Sequence, residues 1–423
     1  MRARTTFIIA SVVAAAISNC GGDSSTSDGG SDASTNDVTV PDTGTSDTGT
    51  DTGAPDTGSD AGGDATVADS GTDTGSDAVA DTGSDAVDDT GADAVADAGT
   101  DAVADAGASD ASTTVANVAA YVWANNSTSA SYTPSTSYSY NSAGGAITIT
   151  RSSTGTYSVT FGNLSINSGD VQVSAYGSSA HCNVTSWGGS SVSVACYAPN
   201  GTAVDSDYTV LVVLNDTTTV ADPVAYAWAS QPTTASYTAS ASYAYNAGGG
   251  AITATRSATG KYAMAFAGLN LGGGDVQVSA YNSSANCEVA SWSSTTANIQ
   301  CYDNAGSLVD SNYAVLLMAN NVTSTATLLG YAWANNSTSA SYTPSTSYSF
   351  NSSGQAITAT RSAAGSYAIT FAGLAAIGNV KVSAYSSSEL CNVSSWSNTT
   401  ANVRCYDASN TLTDTRYTVL VTK

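Results

Sequence analysis

Residues 147–161 read "ITITRSSTGTYSVTF". Apolar side chains fall on alternate positions at Ile147 and Ile149, and again at Tyr157, Val159 and Phe161. A period of two places those residues on one face of a strand, and the intervening "STG" is a turn signal, so the stretch predicts a β-hairpin. "VQVSAYG" from Val171, "SVSVACY" from Ser191 and "YTVLVVL" from Tyr208 are further strand candidates, rich in β-branched and aromatic residues. No stretch sustains a helical period. Seven or eight short strands in about 100 residues predict an antiparallel β-sandwich of immunoglobulin-like architecture.

The pattern recurs. Trp123, Trp228 and Trp333 are spaced 105 apart, and so are Arg151, Arg256 and Arg361. "VQVSAY" begins at Val171 and Val276, with "VKVSAY" at Val380, and a "D-[ST]-x-Y" motif begins at Asp205, Asp310 and Asp414. The chain therefore divides into three tandem sandwich modules, at 114–217, 218–322 and 323–423, each the size of one small domain. The segment "WANNSTSASYTPSTSYS" is identical at 123–139 and 333–349, while the second repeat keeps only its tryptophan, tyrosine spacing and small polar filler.

Six of the seven cysteines follow the same rhythm. Cys182 and Cys196, Cys287 and Cys301, and Cys391 and Cys405 are each 14 positions apart. Folding the first segment at Gly189 sets Val184 opposite Val194, and the other repeats set Val289 opposite Ile299 and Val393 opposite Val403. Each pair is thus expected to bridge a hairpin on its apolar face, closing a loop worth about 3 kcal/mol in the chain-entropy model. No second Cys or His pair accompanies them, which argues against zinc.

Charge changes the picture only ahead of the repeats. Residues 21–113 carry 22 Asp and no Glu, Lys, Arg or His, whereas the chain from 114 on has 12 acidic and 8 basic residues. That Asp/Thr/Gly/Ala-rich stretch cannot bury enough apolar surface to offset the entropy of ordering, and reads as a disordered linker spanning about 55 Å as a flexible coil. Lacking a closing Glu and any glycine-rich nonapeptide, it is expected to attract loose counterions, not to build calcium loops. The nearly neutral remainder excludes nucleic acid as a partner, since phosphate binding needs clustered Lys and Arg.

Residues 1–20 read as an export signal, with Arg2 and Arg4 ahead of an apolar core too short to span a bilayer. "ISNC" at 17–20 resembles the lipobox of bacterial lipoproteins. Ile17 and Ser18 suit it, and Asn19 stands where a smaller residue is usual. The resemblance implies lipidation of Cys20, a membrane anchor and an outer-membrane or cell-surface address; secretion after cleavage near 14–16 is the alternative. The repeats themselves resemble a module of secreted bacterial proteins, on the strength of "YxWAN", "GxYxxxFxGL", "VQVSAY", "CxVxSW" and "DSxYTVL". That implies a β-rich extracellular module and carries no activity with it.

Candidate chemistry is sparse. The only histidine, His181, is replaced by Asn286 and Leu390 in the other repeats and reads as an incidental surface residue. Asp205, Asp310 and Asp414 recur without a second recurring acid, so no carboxylate pair for glycoside hydrolysis can be built. They are expected to cap a turn or to pair with Arg151, Arg256 and Arg361. No catalytic, metal or cofactor residue is assigned. The aromatic residues remain. Trp123, Trp228 and Trp333 follow apolar residues and are expected in the core. Trp187, Trp292 and Trp396 sit at the hairpin tips, out of phase with the cystine face, so parity points them outward, to stack on a ligand or to pack on the next repeat. Tyr138 and Tyr140, two apart, are expected to share a strand face, and Tyr348 repeats Tyr138; such tyrosines make low-entropy contact surface. The favoured reading is a non-enzymatic surface lipoprotein, adhesive or structural. A multivalent binder of cell-wall or extracellular polysaccharide is the alternative, another surface protein is a further candidate partner, and a secreted hydrolase comes last.

Overall fold

The computed structural model describes residues 115–216, 224–318 and 328–423. The expected signal segment, Cys20 and the expected linker lie outside the described residues. The described chain is all-β, and each repeat contributes nine strands in the same order. The first holds β1 (Val115–Ala124), β2 (Ser131–Tyr132), β3 (Ser139–Asn141), β4 (Ile147–Ser153), β5 (Thr156–Phe161), β6 (Asp170–Tyr176), β7 (His181–Gly188), β8 (Ser191–Tyr197) and β9 (Asp207–Asp216). The second holds β10 (Val224–Ala229), β11 (Ser236–Thr238), β12 (Ala244–Asn246), β13 (Ile252–Ala258), β14 (Lys261–Phe266), β15 (Asp275–Tyr281), β16 (Asn286–Trp292), β17 (Thr296–Tyr302) and β18 (Asn312–Met318). The third holds β19 (Leu328–Ala334), β20 (Ser341–Tyr342), β21 (Ser349–Asn351), β22 (Ile357–Ala363), β23 (Ser366–Phe371), β24 (Asn379–Tyr385), β25 (Leu390–Trp396), β26 (Thr400–Tyr406) and β27 (Arg416–Thr422).

Each repeat is a sandwich with its own apolar core. In the first, Val122, Val171, Val173 and Val210 of the layer β1, β3, β6 and β9 bury against Ile149, Val159, Val184 and Val194 of the layer β2, β4, β5, β7 and β8. The alternation in "ITITRSS" is the cause, because it gives β4 one buried and one wetter face. The segment 125–141, copied in the third repeat except that Phe350 replaces Tyr140, is a strap across the open side of this sandwich. It leaves β1, pairs β2 with β4 in one layer, makes a 3-10 turn at Thr136–Tyr138, and returns as β3 beside β1 in the other.

No repeat owns a complete sheet. The five-stranded layer of the first repeat continues through β7 into the four-stranded layer of the second, in the order β2-β4-β5-β8-β7-β15-β18-β10-β12. The second repeat continues the same way into the third through β16 and β24, and the third into the first through β25 and β6. Three sheets of nine strands result, closed in a cycle. Each joint is a short parallel contact: Val184 with Tyr281, Val289 with Tyr385, Val393 with Tyr176. Beside this pairing a backbone N–H crosses each joint, from Asn282, Ser386 and Gly177 to the carbonyls of Val184, Val289 and Val393 at 2.8, 2.8 and 2.9 Å. All three donors have left-handed backbone, φ 51°, 54° and 69°. That bend costs least for Gly177 and least among the rest for Asn282, whereas Ser386 takes it against preference.

The cycle explains why "YTVLVVL" is apolar without a break. One face of β9 enters its own sandwich. The other meets its counterparts in a fourth core where the three repeats converge, built from Tyr121, Leu211, Tyr226, Leu316, Tyr331 and Leu420 among others. Strands β6, β15 and β24 also touch one another, and there the shared interior turns polar. The Val173, Val278 and Val382 N–H groups donate to the hydroxyls of Ser279, Ser383 and Ser174 at 2.9, 3.0 and 3.1 Å, a cyclic set linking all three repeats. These serines and the three cystines line a cavity of about 30 Å³.

Candidate functional site

The hairpin of β7 and β8 sets Cys182 opposite Cys196 and Val184 opposite Val194, as the spacing predicts, and the other repeats match. All three cystines are formed. They mark an oxidising environment, outside the cytoplasm. Beyond Val184, however, the register shifts: Val184 pairs with Val194 but Ser186 with Ser193, which leaves Thr185 as the extra residue of a bulge. The same shift falls at Val289/Ser291 and Val393/Ser395. A bulge resets parity. Trp187, Trp292 and Trp396 are therefore half-buried and pack on the cores of their own repeats.

Each of these tryptophans also enters the next repeat. Trp187 meets Trp228, Tyr243 and Tyr281 with ring centroids 6.0, 5.6 and 5.3 Å away. Trp292 meets Trp333, Tyr348 and Tyr385 at 5.6, 5.5 and 5.5 Å. Trp396 closes the cycle on Trp123, Tyr138 and Tyr176 at 5.3, 5.6 and 5.3 Å. Most contacts are edge-to-face, the geometry that the ring quadrupole favours, and each is worth about 0.5–1.5 kcal/mol beyond its buried area. Rings this close spend their faces on one another and leave no gap for a sugar ring between them. Of the two sequence expectations for the hairpin-tip tryptophan, the structure places it against the next repeat.

Tyr138 and Tyr140 part company. Tyr138 ends the 3-10 turn, as Tyr348 does in the third repeat, and both belong to aromatic quartets. Tyr140 lies on β3, 36% exposed, and stacks on Tyr121 at 5.8 Å. The expectation of one shared face fails because the 3-10 turn interrupts the strand period.

Asp205 both caps and pairs. Arg151 Nε and Nη2 donate to its two oxygens at 2.8 and 2.7 Å, while Gly155 N and Tyr157 Oη donate to Oδ1 at 2.8 and 3.0 Å. The β4–β5 turn is thereby clipped to the approach of β9. Gly155, at φ 68°, is needed there, since a Cβ would lie 2.6 Å from the Cys196 carbonyl. The Arg151 hydrogen bond, outweighing burial, holds the Asp205 carboxyl at about 2, and Asp310 and Asp414 are held likewise by Arg256 and Arg361.

His181 corrects the expectation of a surface residue. It is buried, and its Nε2 lies 2.8 Å from the Ser284 carbonyl of the second repeat. Desolvation lowers its pKa, so the neutral imidazole serves the joint. Other buried polar residues escaped the sequence reading. Asp170 and Asp275 accept from Gln172 and Gln277 at 2.7 and 2.8 Å, and burial raises their carboxyls to about 7 and about 8. Lys381, where the other repeats carry glutamine, is fully buried with Nζ 2.7 Å from Thr209 Oγ1 of the first repeat, and desolvation depresses its pKa. The signal for Lys381 was available: a charged residue breaking the repeat inside an otherwise constant strand.

Among the described residues, no group of three or more His, Cys, Asp or Glu side chains could hold a metal ion, and no helix is long and apolar enough to cross a membrane. Fold and site together define a class: an all-β, cystine-bonded protein of three repeats interlocked through aromatic joints. No protein-family model matches the chain, and neither a curated protein nor a solved structure does.

Proposed function

We infer that this chain is a non-enzymatic surface protein: a head of three interlocked modules carried on the acidic linker, anchored to the membrane through lipid on Cys20 and serving in adhesion or as a structural element. The observation that carries the reading is the use to which the repeated residues are put. The three cystines, the Arg–Asp clamps and the aromatic quartets all serve cohesion. A head so cross-braced suits a part exposed to solvent and shear outside the cell. The neutral His181 is bonded into a joint, which supports a role without proton-transfer chemistry.

Metabolic labelling with a palmitate analogue tests the anchor. The full chain takes up label and is shaved from intact cells by added protease, while Cys20→Ala takes up none and is released. Unlabelled wild-type chain found in the medium would overturn the anchored reading. The polysaccharide-binding alternative rests on the Tyr140 face, the exposed member of the aromatic set. Glycan-array binding lost in Tyr140→Ala would favour it.

A further inference from the structure

The chain has 34 acidic residues, of which only two are glutamates, Glu288 and Glu389. Both break the repeat. Position 288 is Asn183 in the first repeat and Asn392 in the third, and position 389 is Ala180 and Ala285 elsewhere. They lie on opposite sides of the joint between the second and third repeats, where Glu288 meets the segment Ser387–Glu389.

The other two joints show what position 288 does. Asn183 Nδ2 donates to the carbonyls of Ser283 and Ala285 in the next repeat at 2.9 and 2.7 Å. Asn392 Nδ2 likewise donates to Ser178 and Ala180 at 3.1 and 2.6 Å. An ionised glutamate has no proton to give. Glu288 instead accepts, with Ser387 N donating to its Oε1 at 2.8 Å. Its Oε2 and the Oε2 of Glu389 are both buried without a hydrogen-bond partner, and Glu288 itself is fully buried. The titratable groups that face Glu288 are Glu389, from the segment leading into β25, and Tyr302, on β17, whose hydroxyl donates to Gln300 Oε1 at 2.7 Å. None of the three ion pairs among the described residues involves either glutamate.

A carboxylate buried as fully as Glu288, with one oxygen unpartnered and no cation paired to it, is disfavoured in its charged form, and a proton on Glu288 removes the conflict. We propose that Glu288 is a one-proton latch on the joint between the second and third repeats, its proton supplying the donor that an asparagine amide supplies at the other two joints. Burial first, and then repulsion from Glu389, raises the Glu288 carboxyl to about 9. The latch is shut in neutral and acidic media. It loosens as alkali removes the proton, while the asparagine joints do not respond.

Having only two glutamates makes the pair observable alone. The full chain is labelled with carbon-13 at the glutamate side-chain carboxyls, giving two resonances to follow with pH. The expected result is that one resonance, assigned to Glu288 by its loss in Glu288→Asn, keeps its proton well above the ordinary carboxyl range near 4.3 and titrates near 9. Through that step, exchange of the Ser386 N–H accelerates relative to those of Gly177 and Asn282, once each is corrected for its intrinsic rate. Glu288→Asn, which installs the residue of the other repeats, removes the high-pH step and the excess exchange at Ser386. Three results would overturn the latch: Glu288 titrating in the ordinary range, Ser386 tracking the other two amides at all pH values, or the Glu288 carboxylate held ionised at neutral pH by a cation that a chelator removes.

Discussion

Trp187 of the first repeat lies edge-on to Tyr281 of the second, ring centroids 5.3 Å apart and planes at 89°. The same relation joins Trp292 to Tyr385 and Trp396 to Tyr176. Truncating one hairpin-tip tryptophan therefore damages its own core and the neighbouring repeat together. Trp187→Ala should cost about 3–5 kcal/mol, the range for a large aromatic lost from a packed site. Denaturant unfolding followed by circular dichroism measures it, with Trp187→Phe expected to lose less.

The Arg–Asp clamps make stability fall in acid. Asp205, Asp310 and Asp414 are held at about 2 in the folded chain, below the ordinary value of 3.8. Their contribution is present above about pH 4 and is lost as pH falls towards 2. Asp205→Asn should lower the melting temperature at neutral pH by removing the carboxylate that clamps Arg151, Gly155 and Tyr157, and should flatten the acid limb of melting temperature against pH.

Asp170 and Asp275 act in the opposite direction. Their carboxyls are raised to about 7 and about 8, so the folded state holds protons that the unfolded state has released. Stability is full below about pH 4 and declines as pH rises through 8, by about 1.4 kcal/mol per pH unit for each group in that window. Asp275→Asn, matching Asn379 of the third repeat, should remove one group's share of the alkaline decline in the same melting series.

Lys381 is a buried amine without an acidic partner among the described residues. Its pKa is depressed by burial, so its penalty is absent well above pH 10.5 and grows as pH falls towards the folded value. Lys381→Gln, the residue of the other repeats, should raise the melting temperature at neutral pH, and the gain should shrink in strong alkali.

How much of this was legible depends on the range of the interaction. The strands, the cystine hairpin with Val184 opposite Val194, and the pairing of Arg151 with Asp205 are local or follow from repeat spacing, and the sequence carries them openly. The orientation of Trp187 turns on a single bulged residue, Thr185, which alternation alone cannot locate. The sharing of sheets between repeats is a relation among distant strands. Its trace was the constant polar face of "VQVSAY", where Gln172 and Ser174 recur as Gln277 and Ser279 because they meet counterparts from other repeats, a pattern that a solvent-facing strand would also tolerate. His181 misled for the same reason: its partner, the Ser284 carbonyl, lies 103 residues on.

The closed cycle is the central claim, and one amide tests it most directly. Gly177 N–H donates to the carbonyl of Val393, which belongs to the third repeat. Hydrogen exchange on the full chain should find Gly177 protected to the same degree as Asn282 and Ser386 in mild acid, where all three joints are closed. Gly177 exchanging at the free rate while Asn282 and Ser386 stay protected would mean a linear array with an open end, and would contradict the cycle.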